Sequence, residues 1–280
     1  MKKRHFKNVI NTKVMNQISS TKILVCILFF SIMSLHAQDD AAELAKKLAN
    51  PIASLISVPF QNNSDYGIGD LKGSRNTMNF QPVIPISINE NLNMIGRVVL
   101  PIVTQNNITG IGEKQSGLSD AVLSAFFSPK NTKNGFTWGA GPAFLIPTGT
   151  DDFLTNKKFG IGPTAVALKQ TNGWTLGALV NQLWSVAGSD DRPDVSQMFV
   201  QPFITHNWKS GAGIGLVGEW TQNWEARTTS VWLIPNVSGV TSIGTQKISL
   251  AIGPRVHLIA PESMRADWGW RAMVIFLFPK

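Results

Sequence analysis

Trp268-Gly-Trp-Arg-Ala-Met-Val-Ile-Phe-Leu-Phe-Pro-Lys280 closes the chain, and its reading decides the fold. Trp270, Ala272, Val274, Phe276 and Phe278 share one parity, while Arg271 falls on the other. Successive side chains of an extended strand point to opposite faces, so one face here is continuously apolar and the other carries charge. A segment of roughly ten residues with that pattern and aromatic ends suits a strand crossing lipid in a closed β-barrel. A last strand packed on a soluble sandwich would alternate in the same way, so the remainder of the chain has to decide.

The N-terminus separates the two. Lys2, Lys3, Arg4, Lys7, Lys13 and Lys22 precede an apolar run from Ile23 to Leu35, which is 13 residues long. A membrane-spanning helix needs about 20. Leu35-His36-Ala37 follows as a small-residue cleavage signature, so residues 1–37 read as a secretory signal peptide cut after Ala37. Cys26, the single cysteine, lies inside that leader behind Val25, which is not the small residue of a lipoprotein site. The exported chain, starting at Gln38, is expected to have neither disulfide nor lipid anchor. Six of the 25 basic residues leave with the leader and none of the 17 acidic ones does, so 19 basic residues face 17 acidic ones and the net charge falls from +8 to +2. The basic pI is a property of the leader and gives no reason to expect nucleic-acid binding.

Residues 38–51 read as a short helical segment on the periplasmic side, with Asp39 to Asn50 rich in Ala, Leu and Lys and Pro51 ending it. Residues 52–280 read as β throughout. Twelve candidate strands follow, from Ile52–Gln61 and Asn76–Ile88 to Gln246–Ile259 and Asp267–Phe278, an even number as a bacterial single-chain barrel requires. Their connections alternate in length. Asn89 to Asn91, Thr171 with Asn172, Lys209 to Ala212 and Ser242 to Thr245 are short turns. Asn62 to Arg75, Gln105 to Ser116, Thr148 to Lys158 and Ala187 to Asp194 are longer polar loops. Short periplasmic turns and longer outer loops are the rule for outer-membrane barrels. Two joints run against it, the long 129–134 and the short 226–228.

Tryptophan placement supports the barrel. Trp138, Trp174 and Trp208 fall at one end of the predicted strands. Trp184, Trp220, Trp224, Trp232, Trp268 and Trp270 fall at or near the other. Two interfacial girdles explain that distribution, and a soluble core does not. Alternation is clean in Gln246–Ile259, where Leu250, Ile252 and Val256 oppose Ser249, Arg255 and His257, and it is absent from Phe159–Gln170. Prolines inside strands, several in a repeated Gly-Pro step (Gly141-Pro142, Gly162-Pro163, Gly253-Pro254), call for bulges or strand ends near the rim. The fold class expected is all-β: a closed antiparallel transmembrane β-barrel of about 12 strands with a short N-terminal helix, in the outer membrane of a Gram-negative bacterium.

Several segments carry a family resemblance: Leu48 to Asn63, Phe127-Ser-Pro-Lys130, Gly139 to Thr148, Ala178 to Gly188 and Phe276-Leu-Phe-Pro-Lys280. Together they resemble the transporter-labelled outer-membrane barrels of the phenol-degradation meta-pathway family, over nearly the whole exported chain. Relatives sometimes carry the label neuromedin U, which does not fit this architecture. The resemblance implies a barrel that moves small solutes, aromatic or hydrophobic ones among them. It implies no catalytic or ligand residues.

Candidate site residues therefore come from parity. Arg97, Asp120, Glu219, Glu225, Lys247, Arg255, His257 and Arg271 are the ionisable side chains expected to line the lumen. Arg or Lys facing lipid at mid-depth would cost roughly 2–4 kcal/mol, which favours the inward assignment. Two arrangements stay open: a polar conduit tuned by mixed charge, or a lumen plugged by Arg255 and Arg271 pairing with Glu219 or Glu225. The plugged barrel would serve as a structural or surface-interaction protein. An enzyme is the third class, and the sequence gives it little: His206 and His257 are the only exported histidines and no Gly-x-Ser-x-Gly elbow is present. No metal or cofactor is expected, since Asp151-Asp152 and Asp190-Asp191-Arg192-Pro193-Asp194 lack EF-hand spacing and Gly139-Ala-Gly141 opens no helix. The partners expected are outer-membrane lipid, the barrel-insertion machinery acting on Trp268–Lys280, and a small solute.

Overall fold

The computed structural model describes residues 38–131 and 134–279. The signal-peptide reading, 1–37, lies outside the described residues. Helix α1 (Gln38–Leu48) comes first, followed by fourteen strand segments. They are β1 (Ile56–Ile68), β2 (Gly73–Phe80), β3 (Val83–Ser87), β4 (Leu92–Asn106), β5 (Lys114–Leu118), β6 (Ala121–Pro129) and β7 (Phe136–Ile146). Next come β8 (Lys158–Thr171), β9 (Trp174–Gly188), β10 (Ser196–Asn207), β11 (Ala212–Asn223), β12 (Thr228–Ile243), β13 (Gln246–Ile259) and β14 (Trp268–Phe278). β2 with β3, and β5 with β6, are the two halves of single staves. The β3 half pairs with β4 as β2 does, and β5 and β6 pair with successive parts of β4. The result is a closed twelve-strand antiparallel barrel. Closure is made by β1 and β14, aligned from Ile56↔Phe278 to Tyr66↔Trp268.

Both ends of the ladder sequence meet at one rim, the terminal end, which also carries α1 and the turns at 88–91, 172–173, 208–211 and 244–245. The opposite rim, the loop end, carries the connections 107–113, 147–157, 189–195 and 260–267. Asn172 and Gly173 supply the left-handed pair (φ 47° and 82°) that a two-residue hairpin demands.

The outer wall is apolar. Leu216, Leu250, Ile252, Val256 and Val274 are exposed on it, with Trp138, Trp174 and Trp208 near the terminal end and Trp184, Trp220, Trp224 and Trp268 near the loop end. No described helix is long and apolar enough to cross a membrane, a statement without bearing on strands. Trp232 departs from the girdle pattern: it faces the lumen, stacked on His257 with ring centroids 3.7 Å apart.

Three further expectations are corrected. The polar stretch Asn62 to Arg75 is no loop; most of it continues the ladder, with Asn62↔Met78 and Asp65↔Arg75 in register, and the connection shrinks to 69–72. Gln105 to Ser116 likewise shortens to 107–113 because Gln105↔Gln115 is a rung. The Gly-Pro steps sit within strands rather than at the rim. Pairing there lapses and resumes in the same register, as from Ile161↔Trp184 to Thr164↔Asn181. A Cβ on Gly141, Gly162 or Gly253 would collide with a carbonyl oxygen of the next strand, so glycine permits an approach that proline then leaves without a donor.

One half of the interior is a packed core. Ile95, Phe126, Val166, Leu168 and Leu179 project inward from β4, β6, β8 and β9 and bury Ile52 among them. Apolar inward residues opposite an apolar outer wall explain why Phe159–Gln170 shows no alternation. Helix α1 ends in Lys46 and Lys47, which complement its C-terminal dipole. Its Leu44 packs with Leu55 and Leu277, against Leu48, Val240 and Ile275. Gln170 Nε2 donates to the Lys46 carbonyl at 2.9 Å. Residues 44–55 thus fill the terminal end of the barrel.

Candidate functional site in the barrel lumen

Strands β1, β2, β4 and β10 to β14 turn polar side chains inward, opposite the apolar core. At the centre Arg271 of β14 donates from Nε to Asn63 Oδ1 at 2.7 Å and from Nη2 to Glu219 Oε1 at 2.8 Å. Glu219 also accepts from Gln201 Nε2 at 3.3 Å. Glu219 and Arg271 come from strands separated by β12 and β13, so this pair crosses the lumen instead of bridging neighbours. Arg97 lies beside it, with Nη2 donating to Gln81 Oε1 at 2.8 Å.

Toward the loop end a second group forms. Arg255 Nε stands 3.1 Å from Asp65 Oδ1, both side chains almost wholly buried, and the guanidinium carbon lies 4.2 Å from the centroid of the Trp232 ring. The Asp65–Arg255 contact lacks the alignment of a hydrogen bond, so its attraction is Coulombic, with a cation–π contribution from the indole. Arg75 Nε donates to Gln105 Oε1 at 2.9 Å, and Gln105 Nε2 to Gln115 Oε1 at 3.0 Å.

His257 is fixed on three sides. It stacks on Trp232, its Nδ1 accepts the Ala266 amide at 3.2 Å, and its Nε2 lies 3.0 Å from Ser230 Oγ. An imidazole whose Nδ1 accepts a backbone N–H carries its proton on Nε2, so it donates to Ser230 and cannot take that hydroxyl's proton. The Ser230–His257 pair is therefore set up as a structural bond and not as a nucleophile with its base.

The charged layer stands between two cavities of the lumen. The inner one, about 250 Å³ on the terminal side, is lined by Arg97 and Arg271, by apolar residues that include Leu48, Phe203, Val240 and Ile275, and by neutral polar ones that include Gln201, Asn236 and Ser249. The outer one, about 290 Å³ on the loop side, is lined by Asn63, Asp65, Arg75, Trp232, Arg255 and His257. Arg271 lines the inner cavity and its partner Asn63 the outer, so their hydrogen bond marks the partition.

Of the eight residues expected from parity, Arg97, Glu219, Arg255, His257 and Arg271 point into this interior. Arg271 meets Glu219, whereas Arg255 meets Asp65 and not Glu225. Glu225 does not line the lumen: it is exposed in the turn 224–227 that joins β11 to β12. Asp120 does not either. It is buried under the loop between β7 and β8, where it accepts from Thr155 Oγ1 and the Asn156 amide, each at 2.6 Å, and from the Gly149 amide at 3.2 Å. Lys247 sits half-buried at the terminal rim, opposite Leu277, and lines neither cavity. Sequence reading missed Asp65 and Arg75 because both fell in the supposed loop, and Trp232 because it was given to a girdle. The parity of β1 continued past Gln61 would have turned Asn63 and Asp65 inward.

The acidic loops are ion-paired. Lys157 Nζ reaches Asp152 at 2.7 Å, and Lys158 Nζ reaches Asp194 at 3.0 Å. Hydrogen bonds from Lys158 and Ser185 hold the Asp194 carboxyl below the ordinary carboxylate range. Among the described residues no group of three His, Cys, Asp or Glu side chains converges as a metal site.

The family profile described as "Putative MetA-pathway of phenol degradation" matches residues 57–272. Among solved structures, an outer-membrane channel from Pseudomonas putida F1 superposes with a TM-score of 0.61 at 14% identity, covering 80% of this chain and 94% of that one. The β domain of the Bordetella autotransporter BrkA gives 0.45 at 10% identity, over 80% and 100% of the two chains. Outer membrane phospholipase A from Escherichia coli gives 0.40 at 11%, over 84% and 98%. No curated protein sequence matches the chain. The match across residues 57–272, on a closed barrel with two tryptophan girdles, places the chain in the phenol-degradation MetA-pathway family, as a β-barrel of the bacterial outer membrane.

Proposed function

We propose that this protein is a passive outer-membrane channel for small solutes, not an enzyme, and that residues 44–55 stopper it at rest. The observation carrying the reading is the pair of cavities in line along the barrel, parted by one layer of side chains, Glu219, Arg271 and Asn63. A barrel needed only as an anchor has no reason to keep polar, arginine-lined space on both sides of such a layer. The likeness to a protein described as an outer-membrane channel supports the same reading. The proton placement on His257 speaks against Ser230 as a nucleophile.

In this reading the terminal end faces the periplasm, since the shortest turns gather there. Trp268–Lys280 is the segment the insertion machinery engages, because β14 is the stave that closes the barrel on β1. Arg97, Arg255, His257 and Arg271, with Glu219, Asp65 and Arg75, line the path. The apolar part of the inner cavity's wall, with Phe203, Val217 and Ile275, suits solutes with a hydrophobic body, aromatic ones included. Flux of small solutes into proteoliposomes tests this: uptake should exceed that of empty liposomes and rise when residues 38–50 are deleted. Uptake at the empty-liposome level from both proteins would replace the channel with a plugged, structural barrel.

A further inference from the structure

The two arginines of the inner cavity are not equivalent. Arg271 commits Nε to Asn63 and Nη2 to Glu219. Arg97 has a neutral partner, Gln81, at 2.8 Å, and among the described residues no carboxylate lies within ion-pair distance of it. A guanidinium carries five N–H donors in a planar fork that matches a carboxylate with two parallel bonds. Arg97 and Arg271 against Glu219 leave one positive charge uncompensated beside this cavity. The surrounding wall is mixed, with Phe203, Val217, Val240, Met273 and Ile275 offering apolar surface and the rest contributed largely by neutral amides and hydroxyls such as Gln201, Asn236 and Ser249.

We propose that the inner cavity seats a small amphipathic monocarboxylate, its carboxylate on the Arg97 guanidinium and its hydrocarbon body against Phe203, Val217 and Ile275. One uncompensated cation admits one anionic group; a second would find only neutral amides and hydroxyls and no charge to balance it. A neutral solute of the same shape would fill the wall but leave the arginine served by Gln81 alone. An organic cation would face two guanidinium groups. Outside the inner cavity, Arg75 and Arg255 stand with Asp65 on the loop side, so an anion arriving from that side meets positive charge before it reaches the Glu219–Arg271 layer. The inference deepens the channel reading, in that it makes the bound carboxylate the cargo, but the seat itself can be tested without flux.

Titration calorimetry on the full, detergent-purified barrel, with hexanoate, hexan-1-ol and hexylammonium as probes, tests it. Hexanoate should bind saturably at one site, with the alcohol and the amine weaker by about tenfold or more. Arg97→Gln should weaken hexanoate by about tenfold and leave hexan-1-ol unchanged, while Arg97→Lys stays within a few-fold of wild type. Equal binding of hexanoate and hexan-1-ol, an unaffected Arg97→Gln, or no saturable hexanoate signal would each overturn the seat. If Arg97→Gln does not reach the folded form on a heat-modifiability gel, the hexanoate and hexan-1-ol comparison on wild type and Arg97→Lys still decides. Hexanoate binding by a barrel without solute flux would sink the channel reading and spare the seat. Flux without hexanoate binding would do the reverse.

Discussion

Glu219 Oε1 accepts a hydrogen bond from Arg271 Nη2 at 2.8 Å although two whole strands lie between β11 and β14. An ion pair across the inside of a barrel ties non-neighbouring staves together, and here Arg271 is buried and Glu219 largely so. Removing one member leaves the other charge without its partner, at a cost of roughly 3–5 kcal/mol. Arg271→Met and Glu219→Met should each lower the unfolding free energy from urea titration by that order. The double variant should recover a large part of the loss, because neither charge is then stranded. Additive losses would show that the two residues do not act as a pair.

The two faces of β13 give a sharper contrast. Leu250 and Ile252 are exposed on the outer wall, whereas Ser249 lines the inner cavity. Arg at position 250 or 252 should cost roughly 2–4 kcal/mol near the bilayer midplane and lower the yield of heat-modifiable protein. Ser249→Arg should fold and should reduce flux by filling the cavity. Equal folding yields for all three would mean that the facing of β13 is wrong.

Asp120 has a role its parity did not announce. Its carboxylate gathers Gly149, Thr155 and Asn156 and so shapes the connection between β7 and β8 at the loop end. Asp120→Ala leaves several buried donors unserved, each worth roughly 1–3 kcal/mol, and should open that loop to proteases while the barrel keeps its gel mobility. A loop as resistant as in wild type would remove Asp120 from this role.

The twelve staves, the short-turn rim and the outward sets of β13 and β14 are legible because lipid imposes a simple rule, apolar outside with a period of two. What escaped has a physical cause in each case. Asn62, Ser64 and Asn76 lie on the outer wall yet are polar, because they satisfy one another: Asn76 Nδ2 donates to Ser64 Oγ at 2.8 Å and to Asn62 Oδ1 at 3.0 Å. A polar trio on the lipid side breaks the alternation, and β1 was cut short at Gln61 as a result. Asp65 and Arg75 go with it, so the carboxylate that pairs with Arg255 is invisible to parity. Glu225 shows the opposite error: parity alone does not mark the end of β11 at Asn223, after which the chain turns at 224–227. The apolar filling by Phe126, Leu168 and Leu179 could not be seen either, since parity separates two faces but does not say what an interior contains.

The loop between β9 and β10 should respond to acid. Asp194 is held by hydrogen bonds from Lys158 and Ser185, with its carboxyl below the ordinary range. A depressed carboxylate stabilises the folded loop at every pH above its usual value, and that contribution is lost as the pH falls through the lowered one. The loop should remain protected at neutral pH and loosen only in acid. Asp194→Asn should remove this acid step, read as amide-exchange rates of residues 189–195 from pH 7 to pH 3. An acid step of the same size in the variant would assign it to other groups.

Single-channel conductance in planar bilayers is the most direct test of a stoppered, conducting lumen. The exported chain should give a small but nonzero current, and deletion of residues 38–50 should raise it several-fold by removing Leu44 and Leu48 from the terminal mouth. Two silent barrels, or two equal conductances, would mean that residues 44–55 do not stopper a conducting lumen.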